Sequence, residues 1–222
     1  MRGSLRTSTL AAAYYKLMQR YLLPHLNAWR LTPDRLTWIG LLVSMTVPLG
    51  FWAHPFLGFI LILFSGLADS LDGLMARHEN RSSLWGAFLD SSLDRISDFF
   101  YLLGFWVLLG QHANPAWATL AVFICALLTV LISYTKARAE GLGCECPVGL
   151  MERGARVTFL LVWALVLTLL PAQRIIILWL GLALYGTLCL VTIIQRVRHV
   201  RRQIDGTMAG SETAKDRQGH GI

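Results

Sequence analysis

Long apolar stretches, separated by short polar breaks, are the dominant pattern along this chain. No Lys, Arg, Asp or Glu occurs in residues 36–68, 99–135, 157–173 or 175–194. A helix needs about 20 mostly apolar residues to cross the hydrocarbon core of a membrane. The pattern therefore predicts an all-α integral membrane protein with six transmembrane helices. The predicted spans are 36–53, 56–76, 86–110, 115–137, 152–171 and 174–195.

The segments that flank these spans have a different character. Residues 1–30 are predicted to be a cytoplasmic segment with an amphipathic interfacial helix, because apolar and basic residues alternate at helical spacing over 10–30. Packing of this helix against the bundle is an alternative, and the two are compatible. The membrane domain then covers 31–202. The tail, 203–222, is polar and has no periodic apolar face, which predicts disorder.

Composition and charge agree with a membrane domain and predict its orientation. The 222 residues are 55% hydrophobic and carry a formal net charge of +7. Lys and Arg concentrate before the first span, after the last, and around the loops 77–85 and 138–152, whereas the opposite loops hold only Arg174. Positive loops remain in the cytoplasm. Both termini are therefore predicted to be cytoplasmic, in a multi-pass protein of the cell membrane, and the basic balance gives no reason to predict nucleic-acid binding.

Four carboxylates interrupt the second and third spans. Asp69 and Asp72 are three residues apart, and Asp90 and Asp94 are four apart, so each pair projects from one face of its helix. Charges within membrane spans are costly and are usually functional. Four carboxylates at the cytoplasmic ends of two adjacent helices suit a hard cation such as Mg²⁺ or Mn²⁺. Salt bridges and a proton- or cation-conducting path are the alternatives. Gly86 lies one turn before Asp90, where it would allow a close approach of the two helices or of a ligand.

These residues form one spaced motif, Asp69-x2-Asp72-Gly73-x2-Ala76-Arg77-x8-Gly86-x3-Asp90-x3-Asp94. The motif resembles the complete signature of the CDP-alcohol phosphotransferase family of phospholipid synthesis. The resemblance implies a six-helix membrane enzyme, a homodimer, with two Mg²⁺ or Mn²⁺ ions. It also implies a reaction in which an alcohol hydroxyl attacks the lipid-side phosphorus of a CDP-lipid and CMP leaves.

The resemblance also assigns roles to individual residues. Asp69, Asp72 and Asp90 are implied metal ligands, and Asp94 completes the site and is the implied general base. The CDP-lipid is implied to bind at Gly73, Ala76 and Arg77, and Thr37 belongs to a segment that fits the entry to the first span of one family branch. Arginine can hold phosphate oxygens bidentately, which agrees with this position for Arg77.

A second group of residues bears on the acceptor alcohol. Polar and basic side chains close span four and open span five, and a further Arg ends span six; they are Ser133, Lys136, Arg138, Arg153 and Arg196. Such cations suit a phosphorylated acceptor, although lysines and arginines at headgroup depth also serve as topological anchors. The sequences 94–98, 133–140 and 152–156 resemble the inositol-phosphate-using branch, the bacterial phosphatidylinositol-phosphate and archaeal archaetidylinositol-phosphate synthases.

The acceptor implied by this branch is inositol 1-phosphate, and the implied donor is CDP-diacylglycerol. Glycerol 3-phosphate, in a phosphatidylglycerophosphate synthase, is the alternative with the same chemistry. A divalent-cation or proton-coupled transporter that uses the same carboxylates is the alternative from another class. The clustering of the four acids near one membrane face favours the enzyme, because a conduction path needs polar groups spaced across the bilayer.

Overall fold

The computed structural model describes residue 20, residues 32–78, 83–111 and 113–219. Six α-helices make up these ranges. They are α1 (Pro33–Ala53), α2 (Pro55–His78), α3 (Leu84–Gly110), α4 (Pro115–Gly141), α5 (Arg153–Leu169) and α6 (Arg174–Gly219), with a 3₁₀ turn at Pro171–Gln173. The predicted all-α fold is confirmed, and each helix coincides with a predicted stretch. Apart from Arg20, the amphipathic segment predicted over 10–30 lies outside the described residues.

Local sequence signals start three of the helices. Thr32 caps α1, where its side chain accepts a hydrogen bond from the Arg35 backbone N–H and Pro33 occupies the first turn. Ser83 caps α3 and Asn114 caps α4 in the same way. A capping side chain satisfies a backbone donor that has no partner inside the helix. The polar breaks of the sequence are therefore helix ends.

The helices pack as a closed ring. Each contacts chiefly two others, in the order α1, α2, α5, α6, α4, α3 and back to α1. Helices α2 and α3, which carry the carboxylates, touch each other little; α1 packs closely against both. The packing of both helices on α1, rather than direct packing of α2 on α3, therefore positions the two carboxylate pairs.

A buried chain of hydrogen bonds joins the three helices around the carboxylates. The Tyr101 hydroxyl of α3 donates to Ser65 Oγ of α2 at 2.7 Å, and Ser65 Oγ donates to the Gly40 carbonyl of α1 at 2.7 Å. A Cβ built on Gly40 would lie 3.3 Å from Ala68 Cβ, so α1 and α2 approach closely at this level. Low surrounding polarity strengthens such bonds. These hydrogen bonds fix the positions of α2 and α3 relative to each other along the bundle axis.

An aromatic core fills the other half of the ring. Phe105 of α3 stacks on Trp163 of α5 with ring centroids 4.0 Å apart, and Phe51 of α1 lies 4.7 Å from Phe105. Tyr185 of α6 is fully buried beside this group, and its hydroxyl lies 2.9 Å from Thr129 Oγ1 of α4. Offset and tilted ring pairs stabilise packing beyond their buried area. This core holds α5, and with it Arg153, against the rest of the bundle.

Four of the described helices are long and apolar enough to cross a membrane. They are Pro33–Ala53, Pro55–Met75, Pro115–Gly141 and Pro171–Gly206. Helix α3 differs because Asp90, Asp94, Arg95 and Asp98 lie in its first half, and α5 differs because it has only 17 residues. By length and composition, the chain is thus a multi-pass membrane protein. The spans predicted at α3 and α5 stay predictions.

The last helix extends beyond its predicted end. The sequence predicts a span that stops at 195 and a disordered tail over 203–222, whereas α6 continues to Gly219. The tail contains several good helix formers, among them Ala, Glu, Lys, Arg and Gln. Because propagation of an existing helix costs far less than nucleation, a packed span can extend into a polar segment. The structure therefore describes helix over 203–219, and the disorder predicted for the tail stays a prediction.

Candidate active site

Three carboxylates converge between α2 and α3. Asp69, Asp72 and Asp90 each offer an oxygen, and these oxygens lie within 4.8 Å of one another. Asp72 is 4% exposed, and its Oδ2 atom has no hydrogen-bond partner. Like charges held this close repel strongly unless a cation lies among them. A buried, unpartnered oxygen in an all-oxygen cluster fits a hard divalent ion, so the residues match the cofactor expected from the sequence.

Asp94 lies beside this cluster and is linked to it by an arginine. The Arg153 guanidinium, from the first turn of α5, contacts Oδ1 of Asp69 and Oδ1 of Asp94. The three side chains are largely but not fully buried, with exposures between 14% and 26%. Both contacts come from Nη1 of Arg153, which carries two N–H donors and so can bridge the two carboxylates. Arg153 therefore neutralises part of the negative charge and holds Asp94 at the edge of the metal-ligand group.

Thr37 of α1 lines the same site. Together with Asp69, Asp94 and Arg153 it borders an internal cavity of about 10 Å³, which is about the space that one water molecule needs. Its hydroxyl donates to the Pro33 carbonyl at 3.1 Å. Thr37 thus lies at the cavity that Asp69 and Asp94 also border.

The other expected CDP-lipid residues lie on the last turns of α2. Gly73 follows Asp72, and Ala76 and Arg77 occupy the next turn. The side chains of Ala76 and Arg77 lie outside the described part of the structure.

A buried ion pair behind the site was not predicted from the sequence. Asp98 of α3 and Arg156 of α5 are 2.6 Å apart, and both are almost fully buried. Arg156 also donates to the Met151 carbonyl at 3.0 Å, just before α5 begins. The sequence signal for this ion pair was the spacing Arg153-x2-Arg156, which places both arginine side chains on one helix face. The pair joins α3 to the start of α5, where Arg153 extends to the carboxylates.

The expected acceptor residues fall into two groups. Lys136 and Arg138 are exposed on the last turns of α4, and Lys136 Nζ lies 4.0 Å from Glu140. Arg196 is buried; it donates to the Val148 carbonyl at 2.9 Å and to the Ile132 carbonyl, next to the half-buried Ser133. The structure thus places Arg196 beside the Ser133 turn, and it places Arg153 against the carboxylates rather than with the exposed pair.

Gly86 has other neighbours than expected. A Cβ built on it would lie 3.0 Å from Ser83 Oγ and 3.8 Å from Asp34 Oδ1, and it would meet no described atom of α2 within 4 Å. The Gly86 backbone N–H donates to the capping Ser83 at 2.9 Å. The two helices thus do not approach each other closely at this glycine among the described atoms, and the approach of a ligand there stays a prediction. The crowding instead concerns the cap of α3.

Comparison with known proteins supports the same chemistry. A family model for CDP-alcohol phosphatidyltransferase matches residues 30–187. A phosphatidylinositol phosphate synthase from Cutibacterium acnes is 38% identical over 186 residues, which cover 77% of this chain and 86% of the relative. An archaetidylinositol phosphate synthase from Methanothermobacter thermautotrophicus is 33% identical over 150 residues, with coverages of 67% and 74%.

Solved structures agree in fold. The Mycobacterium tuberculosis phosphatidylinositol phosphate synthase in complex with manganese and citrate superimposes with a TM-score of 0.69 at 32% identity, over 80% of this chain and 86% of that one. The same enzyme with CDP-DAG bound gives 0.68 at 31% identity, over 80% and 90%. With the spaced carboxylates, the match over most of the chain shows that this protein belongs to the CDP-alcohol phosphatidyltransferase family and is a membrane transferase.

Proposed function

We propose that this enzyme transfers the phosphatidyl group of CDP-diacylglycerol to a hydroxyl of inositol 1-phosphate and releases CMP. The observation that carries the proposal is the convergence of Asp69, Asp72 and Asp90 within 4.8 Å, beside Asp94 and Arg153. Relatives named for inositol-phosphate products and a related structure with CDP-DAG bound support the choice of acceptor and donor.

Asp69, Asp72 and Asp90 would hold Mg²⁺ or Mn²⁺, two ions in all, and Asp94 would complete the site. A bound divalent ion supplies charge neutralisation for the diphosphate and for the departing CMP. The cluster is suited to this role because its buried Asp72 oxygen has no protein partner. The solved relative that contains manganese supports the assignment.

Asp94 would act as the general base. It takes the proton of the attacking hydroxyl as the new phosphorus–oxygen bond forms and the bond to CMP breaks, so the proton remains on the carboxylate and CMP leaves as an anion. Arg153 contacts Asp94 and Asp69 at once, and it thereby holds the base at a fixed position relative to the metal ligands. Positioning of this kind accounts for much of the rate in phosphoryl-type transfer.

The donor would bind along α2 and the start of α1. Gly73, Ala76 and Arg77 would hold the CDP moiety, and Thr37 would contribute from the cavity that Asp69 and Asp94 border. The glycine presents no side chain to the nucleotide, which permits a close approach of the helix backbone. Arg77 would hold phosphate oxygens.

The acceptor phosphate would bind among cations from three helices. Ser133, Lys136 and Arg138 come from the end of α4, Arg153 from α5 and Arg196 from α6. Arg196 reaches the Ile132 carbonyl, which brings its guanidinium to the turn that carries Ser133. Arg and Lys groups favour a dianionic phosphate over a neutral alcohol.

We further propose that all six helices span the membrane, with both termini and the carboxylates on the cytoplasmic side, and that two chains form a homodimer. The polar first half of α3 would be shielded by α1, which packs against it. Basic residues beside the loops 77–85 and 138–152 support this orientation. The soluble acceptor would then reach the site from the cytoplasm.

An acceptor panel tests the function. Purified protein, CDP-diacylglycerol and Mg²⁺ are combined with inositol 1-phosphate, glycerol 3-phosphate or inositol, and CMP release is measured. We expect CMP release with inositol 1-phosphate, its loss on chelation, and no turnover by Asp94→Asn although this variant still binds the CDP-lipid. A preference for glycerol 3-phosphate would replace the acceptor but keep the chemistry. Silence with every acceptor, together with ion flux in proteoliposomes, would favour the transporter.

A further inference from the structure

A second cleft lies away from the carboxylates, between α6 and the loop that precedes α5. It has a volume of about 540 Å³ and is lined by residues 148–150 of the loop and by four residues of α6. Those four are Gln195, Arg198, His199 and Arg202. The cavity that adjoins Asp69 and Asp94 shares no lining residue with it. The cleft is thus separate from that cavity, and the acceptor candidate Arg196 contacts its lining residue Val148 without lining it.

The cleft is built on a helix face and a fixed loop. Its α6 residues follow the spacing i, i+3, i+4 and i+7, so they lie on one face. Gln203 Nε2 donates to the Glu145 carbonyl at 2.6 Å, and the Glu145 N–H donates to Gln203 Oε1 at 3.1 Å. The Met151 N–H donates to Thr192 Oγ1 at 3.0 Å. Together with the Arg196 contact to Val148, these bonds hold both ends of the loop against α6.

Gly149 makes this close approach of the loop possible. Its φ is 137°, a value that L side chains rarely adopt, and a Cβ built there would lie 2.7 Å from Thr192 Cγ2. The loop therefore lies flat on α6 only with glycine at this position. This arrangement leaves the Leu150 side chain 56% exposed at the cleft.

The position along α6 places the cleft at headgroup depth. Residues 175–194 contain no charged side chain, and a helix of this length matches the hydrocarbon thickness, about 30 Å. The polar lining begins at Gln195, one residue later. The charged residues of the lining, Arg198 and Arg202, are both cationic. The nearby Asp205 is paired with Arg201 at 3.6 Å, and neither residue lines the cleft.

We propose that this cleft binds the phosphate of an anionic phospholipid headgroup. Arg198 and Arg202, one turn apart, can donate several charge-assisted hydrogen bonds to one phosphate, and the exposed Leu150 offers an apolar contact to the adjoining acyl region. Arg198 and Arg202 would hold the lipid by its charge, so a zwitterionic headgroup would bind more weakly. The site does not depend on the proposed acceptor, because none of its lining residues belongs to the reaction site.

Lipid binding is measured by native mass spectrometry of the delipidated full-length protein. The protein is titrated with phosphatidylglycerol or with phosphatidylcholine of the same acyl chains. We expect phosphatidylglycerol to bind several-fold more tightly, and Arg198→Gln or Arg202→Gln to weaken its binding about tenfold, as expected for loss of a charge-assisted bond. Arg201→Gln is the matched control: it removes the same charge from an adjacent, 82% exposed position and should retain binding.

Three results would overturn the proposal. Equal binding of the two lipids would exclude recognition of charge, and equal loss in Arg201→Gln and Arg202→Gln would indicate diffuse surface attraction. Binding of inorganic phosphate that depends on Arg202, without lipid binding, would assign the cleft to a soluble anion. Melting temperatures of the variants identify any that misfold. Because no turnover is measured, failure here is distinguishable from failure of the acceptor panel.

Discussion

At the residue scale, the charge balance of the site depends on Arg153. Its guanidinium contacts Asp69 and Asp94 together, whereas the sequence grouped it with the cations of an acceptor pocket. One arginine within a cluster of carboxylates has two consequences: it lowers their mutual repulsion and it fixes the orientation of Asp94. Removing one partner of a buried charge pair is strongly destabilising because the other charge is left uncompensated.

Replacement of Arg153 should therefore affect catalysis more than acceptor affinity. We expect Arg153→Gln to lower kcat by about tenfold or more, since two charge-assisted contacts are lost. Arg153→Lys, which keeps the charge but not the planar fork, should recover only part of this loss. Steady-state kinetics of CMP release measure kcat and the acceptor KM separately, and Lys136→Gln is the comparison. Lys136 is exposed and is proposed to bind the acceptor phosphate, so its loss should raise the acceptor KM. A change confined to the acceptor KM in Arg153→Gln would instead show that Arg153 serves acceptor binding alone and does not position Asp94.

At the scale of elements, α1 organises the half of the bundle that carries the carboxylates. It packs against both α2 and α3, and small residues permit the approach: Gly40 faces Ala68, and Gly104 of α3 faces Phe51 and Val47. A Cβ built on Gly104 would lie 2.5 Å from Phe51 Cδ2 and 2.9 Å from Val47 Cγ1. Interiors packed this closely do not accept an added methyl without displacement.

A matched pair of glycines on α3 tests this packing. We expect Gly104→Ala to lower the free energy of unfolding by about 1–3 kcal/mol, the usual cost of overpacking. For a chain of this size that loss lowers the melting temperature by several degrees. Gly110→Ala is the control, because nothing lies within 4 Å of a Cβ built there. Thermal unfolding of both variants in detergent provides the measurement. Equal melting temperatures would show that α1 and α3 are not closely packed at Gly104.

At the scale of the whole molecule, charge and helix packing together give the protein two unlike ends. The carboxylate-bearing ends of α2 and α3 meet the start of α5 at one site, where Arg153 contacts Asp69 and Asp94. The exposed cations Lys136 and Arg138 are proposed to belong to the same end of the protein. The opposite loops are short and nearly free of Lys and Arg, with Arg174 as their exception. A soluble acceptor and a membrane-bound donor can meet at the first of these ends.

The proposed orientation rests on this asymmetry, and chemical labelling tests it. In a background without the four native cysteines, Glu145→Cys should react with a membrane-impermeant maleimide only in inside-out vesicles. Gln111→Cys, in the exposed loop between α3 and α4, should react only in right-side-out vesicles. Both positions are exposed, so accessibility does not limit either reaction. The reverse labelling pattern would place the carboxylates outside the cell.

The sequence by itself determined the helices and the chemistry of the site. Apolar stretches of membrane length, ended by Pro, Asn and His, set the helix positions, because in hydrocarbon the backbone must satisfy its own hydrogen bonds. Helical geometry brings Asp69 and Asp72, and likewise Asp90 and Asp94, to one face of their helix. The resemblance of the whole spaced motif to a known signature indicated the family, which the family model confirms. Helix positions and the spacing of residues on one helix depend on neighbouring residues, so they can be predicted from the sequence.

Only the tertiary structure decided which helices meet and which charges pair. The insertion of α1 between α2 and α3, the contacts of Arg153 with Asp69 and Asp94, and the buried Asp98–Arg156 pair join residues far apart in the sequence. No periodicity predicts such pairings, since they depend on the order of helices around the ring. The cationic cleft has the same origin: Arg198 and Arg202 resemble ordinary topological anchors until the loop at Gly149 is packed against them.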